Sequence, residues 1–246
     1  MEPIYSQNFE VTDIAVDCYG RMKASMILFI AQEIAGRHCV ELSVDYDTLA
    51  SRQLFWAVTR HKVQITRLPR RGETIRVETW PMPTTRVAYP RSMVAYDMDG
   101  NECFRSISLW VLMDLNKRNM ILPGKSGISV DGVLRGTELA SPGGLVSKPL
   151  ANSVSRKVCF TDLDRNGHMN NTRYLDWVDD LLPSAFHAAH DPREFTVCYF
   201  SESVEGQTLQ LSWDTLEDGH FQADAHRELD GKSERVFSCR VRYDSV

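Results

Sequence analysis

An internal repeat constrains this chain more than any other feature of its sequence. Val11, Asp17, Gly20 and Met22 recur 147 residues later as Val158, Asp164, Gly167 and Met169, with Val16 matched to Leu163. DCYGRM in the first half therefore aligns with DRNGHM in the second. Downstream the offset drifts but the order holds. GETIRV (Gly72 to Val77) matches GQTLQL (Gly206 to Leu211), and Asp99-Gly100 matches Asp230-Gly231. A single match of this size arises by chance, whereas several in one order mark two copies of one supersecondary unit.

Both copies read the same way: a short strand, a polar turn, a helix, then long antiparallel strands. In the first copy the helix is expected over about Arg21–His38, apolar on nearly every side through Met22, Met26, Ile27, Leu28, Phe29, Ile30 and Ile34. Such a helix is buried on most sides. Strands are expected near Leu54–Arg67, Thr74–Trp80, Arg86–Met98 and Glu102–Leu115. In the second copy Tyr174, Trp177, Val178, Leu181 and Leu182 keep helical spacing, with Asp176, Asp179 and Asp180 on the other face. Strands follow near Phe195–Ser203, Thr208–Asp214, Phe221–Glu228 and Glu234–Tyr243. Each Asp-Gly lies between two strand-like runs, a hairpin signal. The expected fold is α+β, a tandem hotdog in which each unit wraps a long antiparallel sheet around a central helix. Residues 1–132 form the first unit and 155–246 the second. The stretch 133–154, with Pro-Gly-Gly at 142–144 and Pro149, reads as their connection.

Charge and composition narrow the function. Lys plus Arg number 28 against 33 Asp plus Glu, a net charge of −5, which argues against a broad nucleic-acid-binding face. No apolar run approaches membrane-spanning length. The opening MEPIYSQNFE has no basic segment followed by an apolar stretch, so no secretory leader is expected. A cytoplasmic protein follows, its six cysteines reduced and mostly buried. None of them has zinc-type spacing, and neither a metal nor another cofactor is expected.

The segment TDLDRNGHMNNTRYLDW, Thr161 to Trp177, concentrates the chemistry. Asp164, Asn166 and His168 fall within five residues at the turn before the second helix. The first copy keeps the Asp (Asp17) and the Gly (Gly20) but has Tyr19 and Arg21 at the other two positions. Turn chemistry alone would be shared by both copies, so the reacting groups are expected in the second. Asp and Asn before a helix also serve as caps. Asp162-x-Asp164-x-Asn166-Gly167 resembles the start of a calcium loop, but its twelfth position is Arg173 where that loop needs a bidentate Glu.

At these residues the chain resembles the acyl-acyl carrier protein thioesterases, the double-hotdog family of the plant chloroplast enzymes and shorter bacterial relatives. DLDRNGHMNNTRYLDW resembles the family's Asp-x-Asn-x-His element and the start of its central helix. FWAVTRHKVQITRLPRRGETIRVETW and SISLWVLMDLNKRNMILP resemble blocks of its first half. No extension like the plant transit peptide precedes them, which favours a bacterial cytoplasmic enzyme. The family also uses a Glu followed by a Cys. CYFSESVEGQTL places that Glu at Glu202, opposite Leu68 in the repeat, and puts Ser203 where the Cys would be. A cysteine nucleophile is therefore not expected.

The resemblance implies hydrolysis of the thioester joining a fatty acyl chain to the phosphopantetheine of acyl carrier protein, with Asp164, Asn166, His168 and Glu202 acting together. Either carboxylate could be the base, and direct attack by Asp164 is the alternative. Backbone N–H groups from Gly167 to Met169, at the expected helix start, are the candidate oxyanion donors. The first unit is expected to hold the acyl chain. Arg67, Arg70, Arg71 and Lys157 are candidates for docking the acidic carrier protein. An acyl-CoA thioesterase and a non-catalytic acyl-binding module are the competing readings, and either a monomer or a homodimer is compatible with two units on one chain.

Overall fold

The computed structural model describes residues 3–229 and 231–246, so Asp230 of the second Asp-Gly pair lies outside the described residues. The chain divides into two compact units at Pro142/Gly143. The first unit contains β1 (Tyr5–Glu10), α1 (Ala24–Glu41), α2 (Tyr46–Ala50), β2 (Leu54–Ile65), β3 (Thr74–Pro81), β4 (Tyr89–Tyr96), β5 (Glu102–Asp114), β6 (Met120–Ile121) and α3 (Pro123–Ser126). Its strands lie in the order β1-β3-β4-β5-β2, with β6 folded back on β5. The second unit contains β7 (Asn152–Lys157), α4 (Arg173–Asp179), α5 (Ser184–Ala189), β8 (His190–Tyr199), β9 (Thr208–Thr215), β10 (Phe221–Leu229) and β11 (Lys232–Ser245). Its order, β7-β9-β10-β11-β8, is that of the first unit strand for strand. The repeat read from the sequence is thus a repeat of topology, and every pairing within each unit is antiparallel.

In the first unit α1 packs on β1 and β3. Ile27, Leu28, Ile30, Ala31, Ile34, Ala35 and His38 form its buried stripe, at the three- and four-residue spacing that puts side chains on one helical face. It is not buried all round, because Phe29 and Val40 are exposed. It also starts three residues later than the apolar pattern suggests. Arg21 and Met22 are held extended in bridges to Arg70 and Val16, and the Met22 N–H donates to the Pro69 carbonyl at 2.9 Å. The β4–β5 hairpin turns at Asp99-Gly100, with Gly100 at φ +87°, a conformation that favours glycine.

The helix of the second unit is shorter than its periodicity. α4 stops at Asp179, and Leu181 and Leu182 continue only as single turns bonded to Val178 and Asp179. Pro183 lacks an N–H and restricts the residue before it, so α5 begins as a separate element. Tyr174 of α4 stacks on Phe237 of β11, ring centroids 4.9 Å apart, and meets Tyr199 edge-on at 5.9 Å.

The connecting stretch is strapped down on both sides of the division. On the first unit the Val133 N–H donates to the Pro81 carbonyl at 3.0 Å, Trp80 donates to Glu138 at 3.2 Å, and Arg135 pairs with Glu78 at 2.6 Å. Gly132 passes so close to the Met82 backbone that a Cβ there would collide with it. On the second unit Arg235 donates to the Leu145 carbonyl, Gln222 to the Val146 carbonyl, and Ser147 to the buried Asp224. Residues 152–154, expected in the connection, already belong to β7. Among the described residues no helix is long and apolar enough to cross a membrane.

Candidate active site

The polar turn before α4 is built from local bonds. The Asp164 N–H donates to the His168 carbonyl at 2.8 Å and the Gly167 N–H to the Asp164 carbonyl at 3.0 Å. Gly167 adopts φ +75°, which closes the turn at no steric cost. The Asp164 carboxylate is turned onto its own loop. Oδ1 accepts the N–H groups of Asn166 at 2.7 Å and His168 at 3.4 Å. Asp162 is buried, and its Oδ2 accepts the Cys159 N–H at 2.9 Å. With both acids turned onto backbone and Arg173 3.4 Å from Asp162 Oδ1, the loop does not make a calcium site. No cluster of three or more His, Cys, Asp or Glu among the described residues could hold a metal ion.

The first unit repeats this turn bond for bond. Asp17 N–H donates to the Arg21 carbonyl at 2.8 Å, and Gly20 N–H, at φ +73°, to the Asp17 carbonyl at 3.0 Å. Met22 N–H bonds to Pro69 as Met169 N–H bonds to the Ser203 carbonyl at 2.7 Å. The bridge Arg21–Arg70 matches His168–Val204. This register sets Ser203 opposite Pro69, and hence Glu202 opposite Leu68. The side chains diverge where the backbones agree. In the first unit Arg21 turns back on Asp17 in an ion pair at 3.0 Å, its side chain 6% exposed. In the second, His168 Nε2 lies 3.6 Å from Glu202 Oε2, with side chains 22% and 44% exposed. Asn166, on the same turn, is exposed.

One expectation needs correction. Gly167 and Met169 do not offer oxyanion donors, because their N–H groups are already bonded to the Asp164 and Ser203 carbonyls. The helix itself begins only at Arg173, beyond both residues. Three of the basic candidates, Arg67, Arg70 and Arg71, have partners within the fold. Arg67 is paired with Glu73 at 2.8 Å and Asp97 at 3.1 Å, and Arg71 with Asp13. Arg70 donates to the Tyr19 carbonyl at 3.2 Å, and Lys157 is exposed at the end of β7.

Ser203, next to Glu202, is fully buried, and its carbonyl accepts the Met169 N–H. Cys103, Cys198 and Cys239 are buried, and burial pushes the Cys239 thiol well above its ordinary range. A variant with all six cysteines replaced by Ala or Ser is expected to lose some stability yet keep turnover in its folded fraction. Inactivity of a well-folded cysteine-free protein would contradict this. Arg21→Ala is expected to cost stability, about 1–3 kcal/mol for a partly buried ion pair, while leaving kcat within several-fold of wild type. Thermal melts and steady-state rates on one preparation check both halves.

Sequence reasoning missed the residues that fasten the Glu202 loop. Arg227 of β10 bonds to the Glu202 carbonyl at 2.5 Å and to the Ser201 hydroxyl at 2.6 Å. An arginine in a strand of ordinary alternation gives no local sign of this.

Residues 2–122 match the family profile described as acyl-ACP thioesterase N-terminal domain, and 148–241 the one described as acyl-ACP thioesterase C-terminal domain. A chloroplastic palmitoyl-acyl carrier protein thioesterase from Gossypium hirsutum is 24% identical over 84% of this chain and 54% of its own length. A chloroplastic dodecanoyl-[acyl-carrier-protein] hydrolase from Umbellularia californica is 28% identical over 79% of this chain and 54% of its own. The chain spans about half the length of these curated relatives. An acyl-ACP thioesterase of Bacteroides thetaiotaomicron superposes with a TM-score of 0.85 at 24% identity, covering 98% of both chains. The 12:0-ACP thioesterase of Umbellularia californica gives 0.84 at 20% identity, over 100% of this chain and 99% of its own. The fold is thus the tandem hotdog, and by the two profiles matched in order along its length the chain belongs to the acyl-ACP thioesterase family.

Proposed function

We propose that this chain hydrolyses the thioester of fatty acyl groups carried on the phosphopantetheine of acyl carrier protein, releasing free fatty acid and ending chain elongation. The observation that carries this reading is the His168–Glu202 pair. The two residues come from separate segments, meet at 3.6 Å, and stand at places that an arginine and a leucine take in the repeat of the first unit. A pair of this type on a partly exposed turn is suited to moving a proton from water.

Glu202 takes the proton of a water molecule as its oxygen attacks the thioester carbonyl. His168, beside it, shares that proton and delivers it as the C–S bond breaks and the thiolate leaves. Asp164 holds the turn rather than reacting, since its Oδ1 accepts two backbone N–H groups just as that of Asp17 does. Asn166, exposed on that turn, supplies the carboxamide N–H that steadies the carbonyl oxygen in place of Gly167 and Met169. One such donor is worth roughly 10²–10³ in rate. No metal or other cofactor is needed for these steps.

The first unit, lacking the reactive set, holds the acyl chain against α1, and Arg70 with Lys157 contributes to carrier docking in the cytoplasm. If α1 lines the acyl slot, Met26→Trp shifts preference toward shorter chains. If Met26 is packing only, overpacking costs about 1–3 kcal/mol with the preference unchanged. Rates on a series of acyl-carrier substrates of increasing length decide between the two. The same series on matched acyl-CoA tests the carrier: the proposal requires higher kcat/KM on the protein-bound thioesters, and equal or better use of acyl-CoA contradicts it.

A further inference from the structure

Glu202 lies in the 201–207 loop between β8 and β9, and that loop is gripped from two sides. Toward the polar turn it is held by the Met169 N–H bond to the Ser203 carbonyl and by the His168–Val204 bridge. On the other side a single guanidinium does the holding. Arg227 Nη1 donates to the Glu202 carbonyl at 2.5 Å and to Gln207 Oε1 at 3.0 Å, while Nη2 donates to the Ser201 hydroxyl at 2.6 Å. Gln207 Oε1 also accepts the Val204 N–H at 3.1 Å, which ties the far end of the loop into the same cluster. Arg227 is itself fixed. Its Nε donates at 2.9 Å to Glu234, its cross-strand partner on β11, and its side chain is 12% exposed. The planar fork of arginine suits this task, because several acceptors are satisfied in one fixed geometry.

The first unit fastens its equivalent loop differently. There Arg67, within the loop, reaches Glu73 and Asp97, and no arginine arm extends from β4 to the loop among the described residues. The arm from the neighbouring strand occurs only in the copy whose loop carries a carboxylate at this place.

We propose that Arg227 is a positioning residue for the reaction, holding the Glu202 loop so that its carboxylate stays within reach of His168; this rests on the reading of Glu202 as the base. Losing the clamp lets the loop drift, and a displacement on the scale of an ångström at a reacting group lowers rate by about 10²-fold. Arg227→Met is therefore expected to lower kcat by roughly 10–100-fold with KM changed less than about threefold. Arg227→Lys, which keeps the charge and part of the bonding, recovers some of the loss. The decisive comparison is a double-mutant cycle with Glu202→Gln. If Arg227 acts through Glu202, Arg227→Met causes little further loss in the Glu202→Gln background. Should Arg227→Met fail to fold, the pair Ser201→Ala and Gln207→Ala removes two acceptors from the loop side and is expected to show a smaller loss with the same non-additivity. The proposal is overturned if the clamp variants multiply the Glu202→Gln loss by their full wild-type factor, if kcat is unchanged, or if the whole effect lies in KM. Wild-type turnover by Glu202→Gln alone overturns the assignment of the base itself, and the single variant reveals that before any clamp variant is made.

Discussion

His168→Ala and Glu202→Gln each lower kcat by at least about 10²-fold, the scale of a lost acid–base group, and leave the melting temperature nearly unchanged. Both halves of that expectation follow from exposure. The side chains are 22% and 44% exposed, so their mutual attraction is screened and worth at most about 1 kcal/mol to folding. Chemistry loses far more on the proposed mechanism, in which the pair takes the proton of the attacking water. Arg21 reverses the pattern: it is buried and ion-paired on the same backbone frame, so its removal acts on stability rather than turnover. If Arg21→Ala abolishes activity while His168→Ala retains it, the reaction has been placed in the wrong half. Loss of folding in the His168 and Glu202 variants would show that the pair is structural.

Acid sensitivity of folding is the second large effect, and it is expected from His61. This residue lies on β2 with its side chain on the same face as the buried Val63 and Ile65, and is 2% exposed. Across the sheet it faces Ser108 and, one strand further, the buried Arg91. Burial pushes the His61 imidazole down from 6.5 to about 3. The unfolded chain binds a proton near pH 6.5 that the folded chain refuses until about pH 3. Stability therefore rises with pH through this window: it is fully present above about pH 6.5 and is lost progressively as pH falls toward 3. The shift corresponds to a loss of roughly 4–5 kcal/mol from this one group. His61→Leu, which cannot titrate, is expected to flatten that limb while changing stability at neutral pH by less than about 1.5 kcal/mol. Denaturant unfolding at a series of pH values, on both proteins, measures the difference in slope. Equal slopes would show that His61 is not the sensing group.

Much of this was written in local pattern. The repeat, the strands and the polar turn were legible because alternation, Gly at positive φ and Asp-centred turns are set by a few neighbouring residues. The contrast of His168 and Glu202 with Arg21 and Leu68 was legible for the same reason, once the copies were aligned. What escaped depends on contacts distant in sequence. Nothing near Met169 reveals that its N–H is taken by Ser203, so a donor role looked open that the folded chain closes. The Arg67–Asp97 and Arg71–Asp13 ion pairs likewise join a loop to residues on other segments, and a charge count cannot distinguish a paired arginine from a free one. The straps at Val133–Glu138 and Leu145–Ser147 bond to residues distant in sequence, through backbone carbonyls and side chains alike, and so read as a bare connection. The end of α4 was visible in Pro183, but the apolar spacing through Leu181 and Leu182 masked it. His61 and Arg91 were hidden inside strands of ordinary apolar alternation.

Catalytic turnover is read from a time course of free fatty acid released by the wild-type chain from purified acyl-acyl carrier proteins of increasing chain length, each in large excess. Many equivalents of fatty acid per protein are expected from the preferred chain length, released linearly, with equal free thiol appearing on the carrier. Release of no more than one equivalent would contradict turnover, and tight retention of intact acyl carrier without release would identify a binding protein instead.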